Sequence, residues 1–154
     1  SDKGSRGERE DLSGPLIARM LTEAGYRVEE TLLLPDGIQP LKNQLIRLAD
    51  GRQMDLILTT GGTGFAPTDV TPEATMAVAD RNAPGIAEAM RAYSLSITPR
   101  AMLSRAASVL RGKTLIVNLP GSPKAVKEHL EYILPTLEHG ILLAGGRDGE
   151  CARK

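Results

Sequence analysis

Apolar residues along the chain alternate between two periods. Leu12, Leu16, Ile17, Met20, Leu21 and Ala24 recur at helical spacing. Asp11 or Ser13 can cap that helix, Pro15 suits its first turn and Gly25 ends it. Tyr26 to Leu34 reads as a strand that finishes at Pro35-Asp36-Gly37, and Ile38, Leu41, Leu45 and Leu48 predict a second short helix ending at Asp50-Gly51. Asp55-Leu56-Ile57-Leu58-Thr59 is a short apolar run of the kind found in buried parallel strands. Thr71-Pro72-Glu73 opens a third helix, with Thr71 as cap and Pro72 at its first position. Pro84-Gly85 breaks it, and Ile86 to Ser94 resumes as helix.

The segment TLIVNL, Thr114 to Leu119, is a strand by composition and length. Met102 to Leu110 fits strand or helix by pattern alone. The tight turn Arg111-Gly112-Lys113 decides for an antiparallel strand, because so short a connection leaves no room for a crossover. Pro120-Gly121-Ser122-Pro123 then leads into a helix from Lys124 to about Glu138. Alternating strands and helices predict an α/β domain with a mostly parallel sheet, mixed at one end. The polar opening SDKGSRGERED reads as a loop after a strand, so an apolar segment of about six residues is expected upstream of Ser1.

Composition narrows the class. At 154 residues the chain has the size of one domain, 1–154. Hydrophobic residues make up 41% but aromatics only 3%, so the core must be aliphatic. Lys plus Arg balances Asp plus Glu at 19 each, which argues against bulk attraction to nucleic acid or an anionic membrane. Cys151 is the single cysteine, which rules out an internal disulfide and a cysteine zinc site. His129 and His139 fall on different helix faces and read as exposed. No apolar run approaches the ~18 residues that span a bilayer. A cytoplasmic location is expected.

Candidate chemistry lies at the carboxyl ends of strands, where open α/β sheets bind ligands. Thr59-Thr60-Gly61-Gly62-Thr63-Gly64 offers bare backbone N–H groups and hydroxyl donors to an anion. Leu119-Pro120-Gly121-Ser122-Pro123 aims a helix start, capped by Ser122, at the same side of the sheet. Pro35-Asp36 follows the earlier strand. Two anion-seeking ends beside acidic side chains suggest a phosphate ester with Mg²⁺, and Asp36 and Asp69 are the candidate metal ligands. Plainer readings stand beside these: a turn for the glycines, a helix cap for Asp69, an ordinary turn residue for Asp36. Arg100, Arg105 and Arg111 read as surface charge, and Met20, Met76, Met90 and Met102 as core filler.

TTGGTG, TDVTPEAT, NLPGSPKAVKE and the opening SDKGSRGEREDLSG together resemble the MogA/MoaB molybdopterin-binding family. The resemblance implies a three-layer α/β/α domain assembling as a homotrimer or hexamer. It also implies a nucleotidyltransferase that joins ATP and molybdopterin, with Mg²⁺, into adenylyl-molybdopterin and pyrophosphate. By position, Asp36 and Asp69 match the family's two critical aspartates. Gly61 to Gly64 match its ligand loop, and Gly121, Ser122 and Pro123 its second phosphate-side loop. Ser1 and Asp2 match the end of its first strand. Thr68 departs from the arginine or acidic residue that many relatives carry there. The competing expectation is a binding-only molybdopterin carrier, which would not need both aspartates.

Overall fold

The computed structural model describes residues 11–147. Ser1, Asp2 and Cys151 lie outside the described residues, and so does the expected upstream strand. Five helices, α1 (Ser13–Glu23), α2 (Ile38–Ile46), α3 (Thr71–Ala77), α4 (Pro84–Leu95) and α5 (Pro123–Ala144), surround a four-stranded sheet. The strands are β1 (Leu56–Thr60), β2 (Arg81–Asn82), β3 (Ser108–Arg111) and β4 (Thr114–Leu119), in the order β1-β4-β3-β2. β1 runs parallel to β4, whereas β3 is antiparallel to both β4 and β2. The hairpin expected from the Arg111-Gly112-Lys113 turn is present.

β4 lies wholly buried, and its twofold side-chain period feeds two cores. Leu115, Val117 and Leu119 join Ile17, Met90, Val126, Leu130 and Leu137 under α1, α4 and α5. Ile116 points the other way, with Ile57, Val109, Leu45 and Val78 under α2 and α3. The result is a three-layer α/β/α sandwich.

Several local expectations change. Val70, not Thr71, precedes α3, and no side chain caps that helix. Leu12 takes the N-cap position of α1, but Asp11 Oδ1 accepts from Gly14 N at 3.0 Å and so serves the first turn as expected, whereas Ser13 Oγ is turned to Gly121 O. α3 ends at Ala77, so Pro84 starts α4 rather than breaking a longer helix. α5 continues through Pro135 to Ala144. Met90 is core, but Met76 and Met102 are exposed. Arg111 is no idle surface charge: its guanidinium grips both oxygens of Asp50 and donates to Val78 O.

Tyr26 to Leu34 is the largest difference. It carries no strand assignment and pairs with no strand among the described residues. Glu30 anchors it instead, accepting from Arg47 at 2.6 Å and Arg52 at 2.8 Å. Those guanidinium groups, Arg47 foremost, hold the Glu30 carboxyl below its usual range. Between this segment and the free edge of β1 runs a groove of about 1090 Å³.

His129, expected at the surface, is buried in α5, and neither ring nitrogen has a hydrogen-bond partner among the described residues. Burial penalises its cation and depresses its pKa below 6.5, while Glu128 acts weakly the other way. The folded state therefore binds the His129 proton less readily than the unfolded chain does. Its stability is complete above the unfolded pKa and falls as pH drops below it. Melting curves from pH 7.5 down to 5 should show this loss, and His129→Leu should flatten that part of the profile.

Candidate functional site

The parallel pairing of β1 and β4 ends at Thr60 and Leu119, so the loops after both strands leave the sheet side by side. They are stitched together at once. Gly61 N donates to Leu119 O at 3.1 Å, and Thr60 Oγ1 donates to Pro120 O at 2.7 Å. A Cβ on Gly121 would lie 3.4 Å from Gly61 Cα, so the two tips touch. The juxtaposition expected of Thr60 to Gly64 and Pro120 to Pro123 is therefore present.

A polarity rule governs both loops. Carbonyl oxygens are taken by protein donors: Gly62 O by Thr71 N at 3.1 Å, Thr63 O by Arg105 N at 2.8 Å, Gly64 O by Arg105 Nε at 2.8 Å. In the second loop Ser13 Oγ donates to Gly121 O at 2.8 Å. The amides are left over. Gly62, Thr63, Gly64, Gly121 and Ser122 donate to no acceptor among the described residues. A cluster of N–H groups with no protein acceptor, beside carbonyls held by protein donors, is a basin of positive potential. The start of α5 adds its dipole to it, with Ser122 as the expected cap, its Oγ accepting from Ala125 N at 3.2 Å.

Both aspartates line the groove into which this basin opens, along with residues of both loops. Asp69 is not the cap of α3. Its Oδ2 accepts from Ala66 N at 3.0 Å across an exposed turn, and Oδ1 is left for another partner. Asp36 sits in the turn before α2, beside Gly37. No group of three or more acidic, histidine or cysteine side chains suited to a metal occurs among the described residues. The described residues alone thus build no closed metal cage. The donor set fits a hard cation that keeps most of its oxygen ligands from phosphates and water, with one or two carboxylates added.

Arg105, expected to be surface charge, is the brace of the first loop. Besides the Thr63 and Gly64 carbonyls it binds Asp69 O at 2.5 Å and forms an ion pair with Glu73. The guanidinium holds the Glu73 carboxyl below its usual range. Asn118 is a second residue to which sequence reasoning assigns no role. Fully buried in β4, it donates to Thr59 Oγ1 at 3.0 Å and Thr75 Oγ1 at 2.9 Å, and accepts from Ala107 N at 3.0 Å. A lone amide inside the apolar run TLIVNL is the available signal, since a buried polar side chain requires partners.

Gly62 has φ +69°, and a Cβ there would fall 2.2 Å from Thr71 Oγ1. Gly62→Ala combines a left-handed backbone with a clash against the first turn of α3. It should cost about 2 kcal/mol or more and displace the loop amides, read by chemical denaturation and by amide shifts of residues 61–64.

Comparison with known proteins agrees with this geometry. The family described as the probable molybdopterin binding domain matches residues 1–139. The molybdopterin adenylyltransferase of Helicobacter pylori strain 26695 is 42% identical over 148 residues, covering 95% of this chain and 84% of that protein. Its Escherichia coli K12 counterpart is 47% identical over 136 residues, 86% of this chain and 69% of that protein. Among solved structures, the molybdopterin biosynthesis enzyme MoaB of Thermus thermophilus superposes with a TM-score of 0.89 at 49% identity, covering 95% of this chain and 92% of that one. The chain belongs to the molybdopterin-binding family.

Proposed function

We propose that the protein is a molybdopterin adenylyltransferase of molybdenum cofactor biosynthesis, using ATP. One observation carries the reading: two touching strand tips whose carbonyls are taken by protein donors while their amides have no acceptor among the described residues, with Gly62, Gly121 and Ser122 lining an open groove. That arrangement suits phosphoryl oxygens and little else. Relatives named for the reaction, at 42% and 47% identity, support the same conclusion.

In the proposed reaction a terminal phosphate oxygen of molybdopterin attacks the α-phosphorus of ATP in line. A new P–O–P linkage forms, and the bond to the β-phosphate breaks to release pyrophosphate. The amides of Gly62 to Gly64 and of Gly121 and Ser122 position the phosphates and stabilise charge spread over their oxygens. Such a transfer needs no nucleophilic side chain, and the effect comes from placement. Mg²⁺, held by Asp69 and Asp36, would supply charge neutralisation between carboxylates and phosphates that otherwise repel. Ser1 and Asp2, outside the described residues, are proposed as further ligand residues on the family resemblance alone.

The groove beside β1 also bears on domain organisation. Among the described residues β1 is an edge strand, and residues 26–34 line the groove beside it. We infer that residues 1–154 form a single domain. No helix among the described residues is long and apolar enough to cross a membrane. Ile97, Met102 and Leu103 expose apolar surface around one turn, which supports contact between copies. A cytoplasmic homotrimer is the proposed form.

Incubation with molybdopterin, ATP and Mg²⁺ should release pyrophosphate in step with ligand consumed. Binding of molybdopterin without pyrophosphate would indicate the carrier instead. Asp69→Ala should lower the rate on the order of 100-fold. It should fold normally, because the one bond lost is exposed and water replaces it.

A further inference from the structure

Arg105 reaches the first ligand loop from outside the groove. Its backbone N and side chain together bind three sites on the loop's rear: Thr63 O, Gly64 O and Asp69 O. The remaining edge of the guanidinium meets Glu73 in the first turn of α3. Gly64 and Asp69 bracket the bulge Phe65-Ala66-Pro67-Thr68, so one planar cation closes both ends of it. Each peptide unit is rigid, so fixing a carbonyl toward Arg105 turns the following N–H away from it. The guanidinium fixes Gly64 O in this way, and the amide that follows, that of Phe65, donates to no acceptor among the described residues, whereas the bond to Thr63 O comes from the Arg105 backbone and does not depend on the side chain. A Cβ on Gly64 would lie 2.8 Å from Asp69 Oδ2, so the carboxylate is packed against the same backbone.

We propose that the Arg105 side chain is a positioning group: by holding the carbonyls of Gly64 and Asp69 from behind, it sets where the loop's amides and the Asp69 carboxylate stand, without touching the ligand. The effect on catalysis rests on the adenylyl-transfer reading; the effect on the loop does not. Lysine cannot take over the role, since one compact ammonium cannot span two carbonyls and a carboxylate in a fixed plane.

The test uses the full chain and the variants Arg105→Ala, Arg105→Lys, Asp69→Ala and the Arg105→Ala/Asp69→Ala pair. Amide hydrogen exchange reads the loop directly. In Arg105→Ala, exchange at Ala66, Asp69 and Thr71 should rise on the order of tenfold, while the β4 ladder amides Ile116 and Val117 stay unchanged. With pyrophosphate release as readout, kcat/KM should fall on the order of 100-fold. Arg105→Lys should not restore it, and Arg105→Ala should cost much less when Asp69 is already absent. Unchanged exchange at the three loop amides overturns the proposal, as does full rescue by lysine or the same loss in both Asp69 backgrounds. Should the wild-type protein release no pyrophosphate, the adenylyl-transfer reading fails, and hydrogen exchange alone still decides the role of Arg105.

Discussion

The parallel register of β1 on β4 is the constraint from which the site follows. Thr60 pairs with Leu119, so the chain leaves both strands at the same height on the same edge. A slip of one residue would turn every β1 side chain to the other layer and separate Gly61 from Gly121. Asn118 guards against that slip. Its amide spans β1 through Thr59, α3 through Thr75 and the entry to β3 through Ala107, all in a fully buried position. Only one alignment of the two strands satisfies all three bonds. Each bond broken inside the core leaves a polar group unsatisfied, at roughly 1–3 kcal/mol.

The outline is legible in the sequence where local chemistry decides local structure. TLIVNL and the Leu56-Ile57-Leu58 run are strands because nothing else buries so short an apolar segment between breakers. The tips after them stand out because glycine and proline are rare where a chain has no special backbone to build. What stays hidden is non-local. Arg105 finds Gly64 and Glu73 from 41 and 32 positions away, and no spacing rule connects them. His129 looks exposed on a single helix, but α5 packs against both α1 and α4, so more of its circumference is covered than an amphipathic stripe implies. Tyr26 to Leu34 has strand composition, yet a strand exists only with a neighbour. Among the described residues it has none, and Glu30 with two arginines holds it in place.

Asp36 and Asp69 illustrate a different limit. Their residue types suggest a shared metal, and both do border one groove with the anion-seeking loops. Asp69 is partly committed to its own turn through Ala66 N, which fixes its direction. A carboxylate held in that way suits a loose, phosphate-dominated cation better than an all-protein site.

The polarity of the two loops is the deeper regularity. A backbone segment carries as many acceptors as donors, so a bare glycine loop has no intrinsic preference for anions over cations. Preference arises when the protein consumes one kind and leaves the other. Here Thr60, Gly61, Thr71, Ser13 and Arg105 consume carbonyls at the ends of the two strands and in the loops that follow. Thr71, Ser13 and Arg105 lie outside the glycine motif, and Ser13 and Arg105 are far from it in sequence. Any preference of the motif for anions thus belongs to the fold that surrounds it. The same TTGGTG placed where those donors are missing would bind its own water as readily as a phosphate.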